Sequence, residues 1–208
     1  MGTHVAYDAA MRLDDTPRDR YDTVASLLHW LIGLALIGQV VFGFLLDELA
    51  PRGTPSRGAV INLHKSFGLV LGGLVLARLA WRLAHRLPDW PAVLPAWQRR
   101  AARWMHRALY ACMLILPLSG YLASNFSKHG IKFFGQTLAP WGPDEKGVYD
   151  ALNLVHVSTG WLFAILIAGH VAVALLHAFR RDGVVSRILP WRAASPAASV
   201  PQNSRKTA

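Results

Sequence analysis

The sequence predicts an all-α integral membrane protein, an antiparallel four-helix bundle, and three observations carry this prediction. Of the 208 residues, 53% are hydrophobic and 16% are charged, whereas a soluble domain carries about 25% charged residues. Four apolar stretches are long enough to cross a bilayer, which takes about 20 helical residues. The basic residues cluster at the ends of these stretches. This composition excludes a disordered chain and argues against an ordinary water-soluble enzyme.

The four predicted spans follow one another along the chain. The first covers residues 24–46 and contains no charged residue, and the second covers about residues 59–80. The third covers about residues 104–124 and the fourth about residues 151–179. Because the links between successive spans are short, neighbouring helices are expected to run antiparallel in a single domain.

The distribution of Lys and Arg predicts the orientation of the bundle. Sixteen of the 22 Lys and Arg residues lie before the first span, around the second link or after the fourth span. The positive-inside rule places this side, and therefore both termini, in the cytoplasm. Residues 1–23 are then a cytoplasmic extension, residues 24–191 the transmembrane domain and residues 192–208 a disordered cytoplasmic tail. Since the charge follows the membrane boundary, membrane lipid is an expected partner and nucleic acid is not.

Histidines inside the predicted spans are the strongest functional signal. His156 and His170 are 14 residues apart in the fourth span, so they share a face about 21 Å apart along the axis. In an antiparallel bundle, His64 lies near the outer depth of His156, and His29 lies near the inner depth of His170. His177 shares the face of His170, so depth alone leaves open which of the two is the inner partner. Polar side chains inside lipid usually mark a site.

The depth pattern predicts two pairs of imidazoles, and each pair binds one haem iron from opposite sides. Imidazole is the usual axial ligand of non-covalent haem, and the pairs are His64 with His156 and His29 with His170. A proton relay through the same histidines is the functional alternative. A tetrahedral zinc site is disfavoured because the four histidines lie at two depths. The single Cys112 excludes a disulfide framework, an iron–sulfur cluster held by thiolates and covalent haem attachment.

The sequence resembles the bacterial cytochrome b561 family, small four-helix dihaem proteins of the inner membrane. The resemblance covers about residues 20–191, and no single motif decides it. It rests on the order and spacing of LLHWLIG, LHKSFGLVLGGLVLARLAWRL, HRALYACMLILPLSGYL, FFGQTLAPW, LVHVSTG and GHVAVALLHAF. Carried over by position, the haem ligands of the family fall on His29, His64, His156 and His170. The resemblance therefore favours His170 over His177.

The resemblance also implies an activity. One member of the family is a superoxide oxidase, which takes electrons from superoxide at the outer face and reduces ubiquinone. A similar oxidoreductase would hold two haem b, accept electrons from a small anionic or protein donor, and pass them to ubiquinone in the bacterial inner membrane. Two alternatives stay open: a haem-bearing membrane-anchor subunit for a separate redox partner, and a His-relay proton channel or transporter.

Several cationic side chains are candidates for electrostatic roles around the haems. Cations at the outer face would attract an anionic donor and raise its encounter rate. These donor-steering candidates are Lys65, Lys128, His129 and Lys132. Lys65 is alternatively a partner of a haem propionate, a role for which the inner-side candidates are Arg78, Arg82, His106 and Arg107.

Overall fold

The computed structural model describes residues 19–190, which form four long helices. We number them α1 (Thr23–Phe44), α2 (Arg57–Ala84), α3 (Ala96–Asn125) and α4 (Lys146–Arg180). Each is long and apolar enough to cross a membrane, which confirms the predicted four-helix membrane fold. A one-turn helix spans Leu46–Leu49, and a 3-10 turn spans Val185–Ile188. The predicted tail and most of the predicted N-terminal extension lie outside the described residues.

The helices extend beyond the apolar stretches that the sequence reveals. α3 begins at Ala96, directly after Pro95, whereas its predicted span begins near residue 104. The added turns contain arginines and are not apolar. Hydropathy marks only the part of a helix that lies in lipid, while the helix itself continues until a local signal ends it. A proline just before the helix is such a signal, because it cannot donate to the helical ladder.

Local hydrogen bonds fix the helix ends. The Asp22 carboxylate accepts from the backbone N–H of Ala25 at 2.8 Å at the start of α1, which satisfies a donor left free at a helix N-terminus. The same carboxylate accepts from the Trp81 indole N–H at 3.2 Å, which ties α1 to the end of α2. α4 ends at Arg180, and the next residue, Arg181, has a φ of 53°, the left-handed conformation common after a helix.

The packing of the bundle is that of a protein surrounded by lipid. Large apolar side chains point outward, among them Leu34 at 63% exposure and Ile165 at 67%. Among the described residues, few side chains are fully buried; they include Val75 and Phe163 at 1% exposure. α3 and α4 pack most extensively.

A short β-hairpin in the link between α3 and α4 is a feature that the sequence did not reveal. Its strands, β1 (Ile131–Phe133) and β2 (Gln136–Leu138), pair antiparallel. The turn between them has φ of 44° at Phe134 and 93° at Gly135, as expected of a two-residue hairpin turn. Ser66 Oγ of α2 accepts from the Phe134 N–H at 3.0 Å. The hairpin therefore lies against the first turns of α2, and we call this side of the bundle the hairpin end.

The opposite side, which we call the terminal end, brings together the described ends of the chain. The Tyr21 N–H donates to the Arg187 carbonyl at 3.2 Å, and the Trp30 indole N–H donates to the Ile188 carbonyl at 3.0 Å. The segment after α4 therefore folds back across the start of α1.

A side-chain hydrogen bond at the end of α4 holds this segment. The His177 Nδ1–H donates to the Asp182 carboxylate at 2.5 Å, and the other Asp182 oxygen accepts from the Val184 N–H at 3.2 Å. Burial opposes ionisation of Asp182, but these two hydrogen bonds outweigh it and lower the pKa of its carboxyl. Asp182 thus anchors the segment as a carboxylate.

Candidate functional site

Two pairs of imidazoles face each other inside the bundle, one near each end. At the hairpin end the ring centroids of His64 and His156 are 6.3 Å apart. At the terminal end those of His29 and His170 are 6.2 Å apart. Two imidazoles that bind one metal ion from opposite sides, at the ~2 Å metal–nitrogen distance of histidine, have centroids about 6 Å apart. Both pairs therefore fit a single six-coordinate iron between their rings.

The backbone of α3 holds the ring of His156. Its Nδ1–H donates to the Leu116 carbonyl at 2.9 Å, and the Ser119 hydroxyl lies 3.4 Å from the same nitrogen. A Cβ atom on Gly120 would lie 3.0 Å from the ring, closer than ordinary van der Waals contact. Glycine at 120 thus lets the ring lie close to the helix backbone, where a Cβ would displace it. Hydrogen bonding at Nδ1 leaves Nε2 as the free ligand atom.

His64 is held by a polar side chain that the sequence reasoning missed. The Gln39 amide of α1 donates to the His64 carbonyl at 2.8 Å and lies 3.2 Å from Nδ1 of the same residue. A Cβ on Gly43 would lie 3.1 Å from the His64 ring. An amide within an otherwise apolar span was the available signal, because polar side chains in a membrane usually bond another helix.

The terminal-end pair lies beside a guanidinium. Arg78 Nη2 is 3.0 Å from Nδ1 of His29, and Arg78 Nε donates to the Tyr110 hydroxyl at 3.1 Å. His106 lies on the other side, with its ring centroid 5.4 Å from that of His170. Within residues 19–190 no carboxylate forms an ion pair with Arg78. The terminal end of the interior is therefore cationic and suited to a carboxylate such as a propionate.

His170 and His177, which share a face of α4, have different neighbours. The ring of His170 faces His29, whereas the ring of His177 contacts Asp182. Among the described residues, no group of three or more His, Cys, Asp or Glu side chains has the arrangement of a metal site. The arrangement present at each end is a facing pair, which suits haem iron and does not suit tetrahedral zinc.

The donor-steering candidates, all at the hairpin end, are placed differently from one another. The Lys65 ammonium donates to the Gly130 carbonyl at 2.9 Å and is half-buried under the hairpin. Lys128, His129 and Lys132 are exposed at the same end. A half-buried charge close to His64 and exposed charges in the hairpin link are both compatible with attraction of an anion.

A four-helix membrane bundle that carries facing imidazoles in its interior has the architecture of membrane b-type cytochromes. The comparison with protein families agrees: the model of the prokaryotic cytochrome b561 family matches residues 20–191. The chain is 28% identical over 178 residues to cytochrome b561 homolog 1 of Escherichia coli (strain K12), covering 84% of this chain and 99% of the relative. It is 29% identical over 184 residues to cytochrome b561 homolog 2 of the same organism, covering 86% of this chain and 95% of the relative. The chain therefore belongs to the prokaryotic cytochrome b561 family, whose members are membrane b-type cytochromes of electron transfer.

Proposed function

We propose that the protein is a dihaem cytochrome that carries electrons across the bilayer from a donor outside the cell membrane to a quinone. One haem b is bound by His64 and His156 and the other by His29 and His170. The single observation that carries this proposal is the spacing of the facing rings, 6.3 and 6.2 Å between centroids. The bound haem supplies reversible one-electron oxidation and reduction of its iron.

The distance between the two pairs disfavours a proton relay along α4. His156 and His170 are about 21 Å apart along α4, well beyond a hydrogen bond. A relay of protons through these histidines would need intervening polar groups. Between His156 and His170, helix α4 carries only the sequence VSTGWLFAILIAG, in which Ser158 and Thr159 stand next to His156 and the rest is apolar or glycine.

Residues around the two histidine pairs orient the imidazole ligands and would balance the charge of the haem propionates. The Leu116 carbonyl fixes the proton of His156 on Nδ1, and the Gln39 amide holds the backbone at His64. A neutral imidazole that binds iron through Nε2 keeps its proton on Nδ1, and a guanidinium donates only. With iron bound there, Nδ1 of His29 would carry the proton, and the Arg78 guanidinium would need another acceptor. A haem propionate would be that acceptor, and His106 and, at the hairpin end, Lys65 would serve in the same role.

The proposed orientation follows the basic residues. Both termini are cytoplasmic under the positive-inside rule, which puts the terminal end inside and the hairpin end outside in the bacterial inner membrane. The outer donor then meets the His64/His156 pair first. Superoxide fits as this donor, because Lys128, His129 and Lys132 are exposed at that end. Ubiquinone, an apolar molecule dissolved in the bilayer, is the acceptor.

Superoxide-dependent reduction of ubiquinone by the purified protein tests the activity. The proposal expects quinol to form only when superoxide and protein are both present. The Lys128→Gln/Lys132→Gln variant should react more slowly at low salt and show a weaker salt dependence. Arg52→Gln, which removes one cation outside the hairpin link at the same end, is the control and should slow the reaction less. A haem-loaded protein that forms no quinol at saturating quinone would instead indicate an anchor subunit serving a separate partner.

A further inference from the structure

An open groove on the terminal end lies outside the histidine site. It has a volume of about 290 Å³ and is lined by Trp90, Ala96, Arg99, Arg100 and Arg103. The α3 residues among these have the spacing i, i+3, i+4 and i+7, so they lie on one face of the first two turns. Trp90, from the link between α2 and α3, forms the opposite wall. The groove thus combines three guanidinium groups with one aromatic wall.

The length of α3 places this groove in the headgroup layer of the membrane. The helix has 30 residues, or about 45 Å at 1.5 Å per residue, whereas the hydrocarbon core is about 30 Å thick. The turns before Trp104 therefore project beyond the hydrocarbon. Trp97 and Trp104 are 63% and 66% exposed, as expected of aromatic side chains at the membrane interface. The arginines of the groove lie at the depth of lipid phosphates.

The charge of the groove is not balanced by the residues that the structure describes. Within the described part of the chain, no carboxylate forms an ion pair with Arg99, Arg100 or Arg103. The Arg103 guanidinium lies 5.8 Å from the centre of the Trp90 ring, a cation–π contact that holds the aromatic wall against the helix. The backbone carbonyl of the nearby Asp89 accepts a hydrogen bond from the Arg187 guanidinium.

We propose that this groove binds the phosphate of an anionic phospholipid. Guanidinium groups bind phosphate oxygens in pairs, with a geometry that ammonium groups do not match. The exposed face of Trp90 suits the glycerol and the first methylene groups of the lipid. The chemical group that the groove recognises is therefore a phosphate anion. The depth of the groove makes a lipid, and not free phosphate, its source.

Lipid titration of the full-length purified protein tests the proposal. Phosphatidylglycerol, phosphatidylcholine with the same acyl chains, and inorganic phosphate are added separately in neutral detergent, and binding is followed by native mass spectrometry and thermal unfolding. Arg99→Gln/Arg103→Gln should weaken phosphatidylglycerol binding about 30-fold, since each basic side chain near an anionic lipid contributes about fivefold. Arg180→Gln/Arg181→Gln, which removes the same charge from the same end, should bind normally. If the first variant does not fold, Arg99→Lys/Arg103→Lys tests the same groove and should bind several-fold more weakly.

Four results would overturn the proposal. Equal binding of phosphatidylglycerol and phosphatidylcholine by the wild-type protein would show that the groove does not recognise anionic lipid. An equal loss in both double glutamine variants would indicate general attraction by the basic surface. Full stabilisation by inorganic phosphate, without any added effect of phosphatidylglycerol, would identify free phosphate as the ligand. Retained affinity in Arg99→Lys/Arg103→Lys would exclude the guanidinium geometry as its basis.

Discussion

Substitution of Gly120 by alanine should weaken haem binding at the hairpin end only. The new Cβ would lie 3.0 Å from Cε1 and Nδ1 of His156, whereas atoms in ordinary contact are about 3.5–4.0 Å apart. The ring must therefore shift by about 0.5–1 Å. Overpacking of this size costs about 1–3 kcal/mol, which corresponds to about 5- to 150-fold weaker binding. The His29/His170 pair is at the other end of α4 and should be unaffected.

Haem content and the reduced-minus-oxidised spectrum of the purified variant measure this effect, with release of haem to excess apomyoglobin giving its strength. Gly160→Ala is the matched control, because its Cβ would meet only Leu116 Cδ2 at an ordinary 4.0 Å. Both variants gain the same helix propensity from alanine, so the comparison isolates the contact with His156. A Gly120→Ala protein that binds both haems as tightly as Gly160→Ala would refute the argument from ring packing.

Three further outcomes are expected. Gln39→Leu removes the amide that holds His64 and should cost about 1–3 kcal/mol of stability, with faster haem loss at the hairpin end; unchanged thermal unfolding and haem retention would contradict this. Arg78→Gln removes a cation that favours the reduced, less positive iron, so one midpoint potential should fall by about 59 mV or more, a tenfold change in the reduction equilibrium; spectroelectrochemistry that finds both potentials unchanged would contradict it. Asp182→Asn removes a carboxylate whose pKa lies below its ordinary 3.8; such a group stabilises the fold above that pH and loses its effect as the pH falls through the lowered pKa. The wild-type melting temperature should therefore drop on acidification below about pH 4 more than that of Asp182→Asn, and parallel curves would exclude a role for the pair with His177.

The sequence predicts the spans and the depth of each histidine because both depend on helix geometry alone. A rise of 1.5 Å per residue and the antiparallel order are enough to bring His64 to the level of His156. Helix geometry alone does not decide whether His170 or His177 pairs with His29, because both lie on one face of α4. In the structure it depends on Asp182, a residue beyond the helix whose carboxylate engages His177.

Other features depend on contacts between distant segments and were missed for that reason. The hairpin strands have only three residues each, too short for a periodic pattern, and Ser66 and Asn62 of α2 hold them in place. The early start of α3 was missed because its first turns carry charge. Gln39 was visible in the sequence, but its partner on α2 becomes evident only when the helices are packed.

The pairing of the histidines is the central claim, and the haem content of three double variants tests it most directly. His29→Ala/His170→Ala and His64→Ala/His156→Ala each remove one complete pair, so each protein should retain one haem per polypeptide with a six-coordinate, low-spin spectrum. His29→Ala/His156→Ala removes one member of each pair and should retain no six-coordinate haem, while circular dichroism shows the helices intact. A six-coordinate haem in this crossed variant, or the loss of both haems from either within-pair variant with its helices intact, would contradict the pairing.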